Sequence, residues 1–139
     1  MGLTAAELAA LSSRAYTHME PWGERAFAGT LEQPSSLLVS EPGGFVMGRV
    51  VLDEAEILAL ATDPAVQRQG VARRLLAAFE AQAAARGAAQ VFLEVAAANA
   101  PAQGFYSACG YTLTGRRKGY YRHADGRRDD ALLMSRALT

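Results

Sequence analysis

Three groups of residues in this chain have the types and spacing to do chemistry. The first is the loop Gln67-Arg68-Gln69-Gly70-Val71-Ala72, of the form Q/R-x-x-G-x-G/A. Small residues at Gly70 and Ala72 let backbone N–H groups converge on one point without obstruction by Cβ atoms. A helix starting there adds uncapped donors and the positive end of its dipole. Such a loop suits a diphosphate, with Arg68, Arg73 and Arg74 able to supply charge. The second is Glu94, in the run Gln90-Val91-Phe92-Leu93-Glu94-Val95. Strand alternation points it away from the face carrying Val91, Leu93 and Val95. A carboxylate there, against aromatic surface, could take a proton; the plainer reading is a solvent-facing strand glutamate. The third is Tyr106, whose phenol can give a proton; the plainer reading is an aromatic packed beside Phe105 on a half-buried helix.

The loop needs a strand before it and a helix after it. Leu58 to Thr62 supplies the strand, and Leu75, Leu76, Phe79 and Ala83 supply a helical stripe. Upstream, Thr4-Ala5-Ala6-Glu7 has the form of a capping box, and helical spacing of Leu8, Leu11, Ala15 and Tyr16 predicts a helix over about 5–17. Pro21 stops it, and Gly23 opens a short helix through Leu31, with Trp22 and Phe27 as candidates to pin it to a sheet. Strands are expected over Leu37–Ser40, Phe45–Leu52 and Glu56–Thr62. A Pro-Gly turn lies at Pro42-Gly43, and Gly48 marks a bulge or a close approach. The loop helix runs from Gly70 to about Arg86, with Gly87 at its C′ position. A strand over Gln90–Val95 follows, parallel to the Leu58 strand through that helix. Asn99 caps a helix ending near Cys109 and Gly110, and strands over Tyr111–Arg117 and Ala131–Ala137 close the chain.

The 139 residues suit one domain, 1–139, with 50% hydrophobic and 20% charged residues. Formal net charge is zero, which gives no global attraction to nucleic acid or membrane. No apolar run approaches the roughly 20 residues that span a bilayer, and Met1-Gly2-Leu3 leads straight into a helix, so no signal peptide and a cytoplasmic location are expected. Cys109 is alone, and His18 and His123 lack ligand-like companions, so no disulfide framework and no metal are expected. The basic residues Arg116, Arg117, Lys118, Arg122, Arg127 and Arg128 read as a solvated face guarding the last hairpin.

The ordered set Pro21-Trp22, Val50 to Ala55, the Gly70 loop, Leu93-Glu94-Val95, Asn99, Tyr106, Gly110-Tyr111, Arg116-Arg117, Tyr120-Tyr121 and Asp130-Ala131 resembles the GNAT acyl-CoA N-acyltransferases. It is most similar to the RimI type, the ribosomal-protein-alanine N-acetyltransferases. The resemblance implies an α/β fold with a central mixed sheet flanked by helices, whose two parallel central strands splay apart. The strand that usually precedes the first helix would be absent or vestigial here. It implies acetyl-CoA as co-substrate and no metal. The pantetheine arm would pair with the backbone of Leu60, Ala61 and Thr62, and the loop Arg68, Gln69, Gly70, Val71, Ala72 and Arg73 would hold the diphosphate. Asn99 would touch the cofactor, Glu94 would be the general base, and Tyr106 would protonate the leaving thiolate. Trp22, Tyr120, Tyr121 and Asp130 would line the acceptor channel.

The implied activity is direct transfer of acetyl to the α-amine of a protein N-terminus, such as a ribosomal protein's alanine, by a monomer or weak dimer. An α-amine suits such a base: at pH 7 a pKa near ~8 costs about 1.4 kcal/mol to neutralise, against about 4.6 kcal/mol for a lysine. The alternatives are acetylation of a small-molecule amine and a non-catalytic acyl-CoA-binding domain. The chain departs from the RimI pattern V-R-x-S-N, which reads Val95-Ala96-Ala97-Ala98-Asn99 here, and Gly119 replaces the Asn before the paired tyrosines.

Overall fold

Among the described residues, apolar side chains at strand and helix spacing leave six strands and four α-helices with faces to bury. The computed structural model describes residues 3–15, 23–67, 69–122 and 125–138. Helix α1 (Ala5–Ala15) begins as the capping box requires: Glu7 N donates to Thr4 Oγ1 at 3.2 Å and Thr4 N donates to Glu7 Oε1 at 2.9 Å. Its expected extension to residue 17 lies outside the described residues, as do Trp22 and Arg68. Helix α2 is Glu24–Leu31. Strands β1 (Ser36–Glu41), β2 (Gly44–Val51) and β3 (Glu54–Thr62) form an antiparallel meander. A short 3-10 turn, Pro64–Val66, leads to helix α3 (Val71–Ala85). Strand β4 (Gln90–Ala96), helix α4 (Ala100–Ala108), and strands β5 (Thr112–Arg122) and β6 (Arg128–Ala137) complete the order.

The six strands make one mixed sheet in the order β1-β2-β3-β4-β6-β5. Among the described residues no strand precedes α1, and β1 forms that edge. The last two strands extend further than the sequence suggests. The polar run from Lys118 to Arg122 carries no apolar alternation and is held as strand by pairing with β6.

Two cores cover the two faces. Leu75, Leu76, Phe79 and Ala83 of α3 and Tyr106 of α4 pack with Ala55, Ile57, Val91, Leu93, Val95, Leu132 and Met134. On the other face Leu8 and Leu11 of α1 and Phe27 of α2 pack with Phe45, Met47, Ala59 and Ala61. Phe27 is fully buried and meets Phe45 edge-on at 5.6 Å, the pinning role expected of it.

One irregularity governs the sheet's centre. The β2–β3 register passes from Met47↔Ala59 to Gly48↔Ile57, so Leu58 is an extra residue on β3. Side chains alternate along a strand, and the extra residue reverses the count. Ala55 and Ile57 therefore face α3, whereas Ala59 and Ala61 face α1 and α2. The β3–β4 ladder is parallel and stops at the same level, at Ile57↔Leu93. Beyond it β3 stays with β2 as far as Gly44↔Thr62, and β4 stays with β6 as far as Ala96↔Ala131. The central strands thus part as the resemblance implies. Gly48 permits the bulge: a Cβ there would overlap Glu56 O and lie 2.7 Å from the Phe79 ring.

Candidate active site

The loop after β3 is built to leave backbone donors open. Asp63 Oδ1 accepts from Ala65 N at 3.0 Å and closes the 3-10 turn. Gly70 then opens α3 at φ 76°, ψ 11°, a left-handed conformation that glycine adopts without strain. No side chain caps α3 and no acid lies in its first turn. Its leading N–H groups and its dipole therefore face outward. They border a cavity of about 320 Å³ lined by Thr62, Val66, Gln67, Gly70, Val71, Ala72, Arg73 and Phe105. The sequence reading placed Thr62, Gly70, Val71, Ala72 and Arg73 here. It missed Val66, Gln67 and Phe105. Gln67 opens the Q/R-x-x-G-x-G/A pattern, and in the sequence Phe105 shows only as a packing neighbour of Tyr106.

The charge supply differs from expectation. Arg74 is spent within the fold: its Nε and Nη2 donate to Glu41 on β1 at 3.2 and 2.8 Å, and its Nη1 donates to Gln69 O at 3.0 Å. Those bonds brace the loop from behind, leaving Arg73 as the described cation at the cavity. Of the β3 residues, half-buried Leu60 packs towards α3, while Ala61 is buried against the α1 side. This again reflects the bulge.

Glu94 and Tyr106 occupy opposite faces of the sheet. Val91, Leu93 and Val95 face α3, so Phe92 and Glu94 face the α1 and α2 side. Tyr106 belongs to the α3 side, 8% exposed, with ring centroids 5.2 Å from Phe105 and 5.6 Å from Tyr111. Packing is therefore part of Tyr106's role. The β3–β4 ladder ends at Leu93, one residue before Glu94. The ion-pair partner of Glu94 is a guanidinium, with Arg117 Nε 3.4 Å from Glu94 Oε1.

Below Tyr106, Tyr111 Oη donates to Glu80 Oε2 at 2.8 Å, and Glu80 Oε1 accepts from Arg136 Nη1 at 2.9 Å. Burial pushes the Tyr111 phenol well above its ordinary range, and the bonded Glu80 carboxylate pushes it further. This tyrosine ties α3 to the last strands and stays neutral.

Asn99 caps α4, its Oδ1 accepting from Ala102 N at 3.2 Å. Gln103 Nε2 donates to Ala96 O and Ala97 O at 3.1 and 2.8 Å, which fixes the turn between β4 and α4. Asp129 Oδ2 accepts from Ala98 N at 2.8 Å and ties that turn to β6. Asp130 works within the sheet: its Oδ1 accepts from Gly119 N at 2.9 Å and its Oδ2 from Arg116 Nη1 at 3.1 Å. These bonds set a register shift between Arg117 and Tyr121. Gly119 sits there at φ 60°, a conformation open to both Gly and Asn, so the departure from Asn at this position preserves the backbone. Tyr120 is 54% exposed, and the Tyr121 side chain lies outside the described residues.

Among the described residues no group of His, Cys, Asp and Glu is arranged to hold a metal, and no helix is long and apolar enough to cross a membrane.

The Acetyltransferase (GNAT) family pattern matches residues 6–111. The chain belongs to the GNAT family. It is an acetyltransferase, and the bulged, parted sheet is the frame of this GNAT domain. It is 38% identical over 122 residues to the [ribosomal protein bS18]-alanine N-acetyltransferase of Escherichia coli K12, covering 85% of this chain and 82% of that one. The crystal structure of the ribosomal-protein-S18-alanine N-acetyltransferase from Escherichia coli superposes with a TM-score of 0.86 at 33% identity, over 100% of this chain and 92% of that one. Arabidopsis thaliana NAA60, whose crystal structure is a complex with acetyl-CoA, shares the fold with a TM-score of 0.81 at 19% identity, over 99% of this chain and 97% of that one.

Proposed function

We propose that this GNAT enzyme, acting as a single domain over residues 1–139, transfers the acetyl group of acetyl-CoA to the α-amine of a protein N-terminus. A ribosomal protein beginning with alanine is the acceptor suggested by the relatives' activity. The observation that carries the reading is the opening beyond Ile57↔Leu93, with uncapped α3 donors on one side and Glu94 on the other.

The chain's own groups divide the work. Backbone N–H groups at Gln69 to Arg73 hold the diphosphate, joined by the side chains of Arg73 and Arg68. The donors lack a side-chain acceptor, and Gly70 keeps a Cβ out of their path, so the loop fits such a group. The backbone of Leu60, Ala61 and Thr62 pairs with the pantetheine arm as an added strand would, and polarises the thioester carbonyl. Glu94 takes the proton from the acceptor ammonium, directly or through a water. The neutral amine attacks the acetyl carbon, and the carbon–sulfur bond breaks. Tyr106 gives its proton to the departing thiolate, a modest demand because a thiol's pKa is only about 8.5. Asn99 contacts the cofactor through the amide group that its cap leaves over. Trp22, Tyr120 and Tyr121 line the acceptor path, and Asp130 shapes it by fixing β5. The product side needs no metal.

Glu94→Gln and Tyr106→Phe are each expected to cut kcat by about 100-fold or more with CoA affinity near wild type. CoA release and calorimetry measure the two quantities. Wild-type rates in both variants would remove the assigned roles. A panel of N-terminal peptides against simple polyamines tests the acceptor: faster turnover of polyamines would replace the protein N-terminus with a small amine.

A further inference from the structure

Arg117 has no part in the chemistry proposed above, yet its Nε lies 3.4 Å from Oε1 of the proposed base. Glu94 pairs with Leu133 across β4 and β6, and Arg117 pairs with Ala131 across β5 and β6. Leu132 and Met134 face α3, so Ala131, Leu133, Glu94 and Arg117 share the other face. Arg117 must reach across β6 to meet Glu94, and the methyl of Ala131 leaves it room. The Glu94 side chain is 16% exposed and that of Arg117 is 55% exposed, so the partner that can leave is the arginine.

In the same pose the arginine also lies over an aromatic ring. Its Cζ lies 5.3 Å from the centroid of the Tyr120 ring. In a regular strand, residues three apart point to opposite faces. The register shift at Gly119 brings Tyr120 round to Arg117's side. Asp130 and the bond from Arg128 Nη1 to Gly119 O, 3.1 Å, hold that shift in place. Arg116, the preceding residue on β5, is engaged with Asp130.

We infer that Arg117 is a positioning residue that keeps thioester cleavage tied to the acceptor by occupying Glu94 until an ammonium group displaces it. The inference rests on the reading of Glu94 as base. With no ammonium present, a free carboxylate beside a thioester can act instead as general base towards water. Water would then bond through oxygen to the acetyl carbon and the carbon–sulfur bond would break. The products would be acetate, the CoA thiol and one released proton. An acceptor ammonium carries the same charge as the guanidinium and can replace it beside Glu94. Neutral water cannot, because it would leave both charges less well paired. Displaced, Arg117 stays on Tyr120, ready to return when the acetylated and now neutral product leaves.

The test follows CoA thiol release from acetyl-CoA by the full chain, with and without a peptide that begins with alanine. Arg117→Met keeps the aliphatic stem and removes the charge. It is expected to raise acceptor-free release by about five- to tenfold and to lower KM for the peptide, with KM for acetyl-CoA unchanged. Arg117→Lys should stay near wild type in both respects. The double variant Glu94→Gln, Arg117→Met should lose the excess release. Tyr120→Leu, which leaves the ion pair but removes the ring, should give a smaller rise and carries the test if Arg117→Met does not fold. Acceptor-free release equal to wild type in Arg117→Met overturns the inference, as does excess release that survives in the double variant. Full activity in Glu94→Gln alone would instead remove the base assignment.

Discussion

Helices α3 and α4 both start at the rim of the sheet, and they start in opposite ways. Helix α4 completes itself: Asn99 accepts from Ala102 N, and Pro101 in the first turn has no N–H to satisfy. Helix α3 begins on a left-handed glycine with no side-chain acceptor and no acid in its first turn. One end is finished by its own sequence, and the other is left open. The difference shows where the chain has given up local stability, since a good cap contributes about 1 kcal/mol. The missing cap marks the site more clearly than positive charge does, because Arg74, the cation one turn in, is bound to Glu41.

Breaking the open end should have the largest effect. Gly70→Val places a β-branched residue at φ 76°, with its Cβ 3.3 Å from Arg74 Nη1. Left-handed strain of about 1–2 kcal/mol and the shifted donors should weaken CoA binding at least tenfold by calorimetry. Wild-type affinity would mean the loop is not the cradle. Breaking the finished end should act on stability. Asn99→Ala is expected to cost about 1 kcal/mol and lower Tm by about 3 °C. Asn99→Asp should restore Tm, and if it also restores CoA affinity then Asn99 has no cofactor role. Removing charge but not geometry, Arg73→Ala should weaken CoA binding about three- to fivefold at low salt, with the gap closing as salt rises.

The smallest effect concerns the brace behind the loop. Hydrogen bonding to the Arg74 guanidinium holds the Glu41 carboxyl below its ordinary 4.5. A depressed carboxylate stabilises the fold fully above pH 4.5 and loses that contribution as pH falls through its folded pKa. Glu41→Gln should therefore flatten the acid limb of the stability curve slightly, and an unchanged limb would leave the brace without thermodynamic weight.

What could be read in advance follows range of interaction. The Thr4–Glu7 box, the Asn99 cap and the positive-φ turns at Gly87 and Gly110 are local and were legible. The bond between Arg74 and Glu41 spans 33 residues, so in the sequence the same arginine is simply one more charge able to serve the loop. Glu94 was legible as a strand carboxylate, yet its partner comes from a strand two positions away in the sheet. The bulge at Leu58 was hidden for a different reason. From Ile57 to Ala61 every residue is apolar, so no alternation of polar and apolar side chains was present to reveal the reversal.

That reversal makes one strand wall two compartments, the helical core behind its first half and the α1–α2 core behind its second. Exchanging one aliphatic for another along Glu54–Thr62 changes volume alone. Adding or deleting a single residue there would swap which side chains each compartment receives, and would reverse the backbone groups exposed beyond the end of the β3–β4 ladder. Chain length through this stretch is therefore a tighter requirement than residue identity.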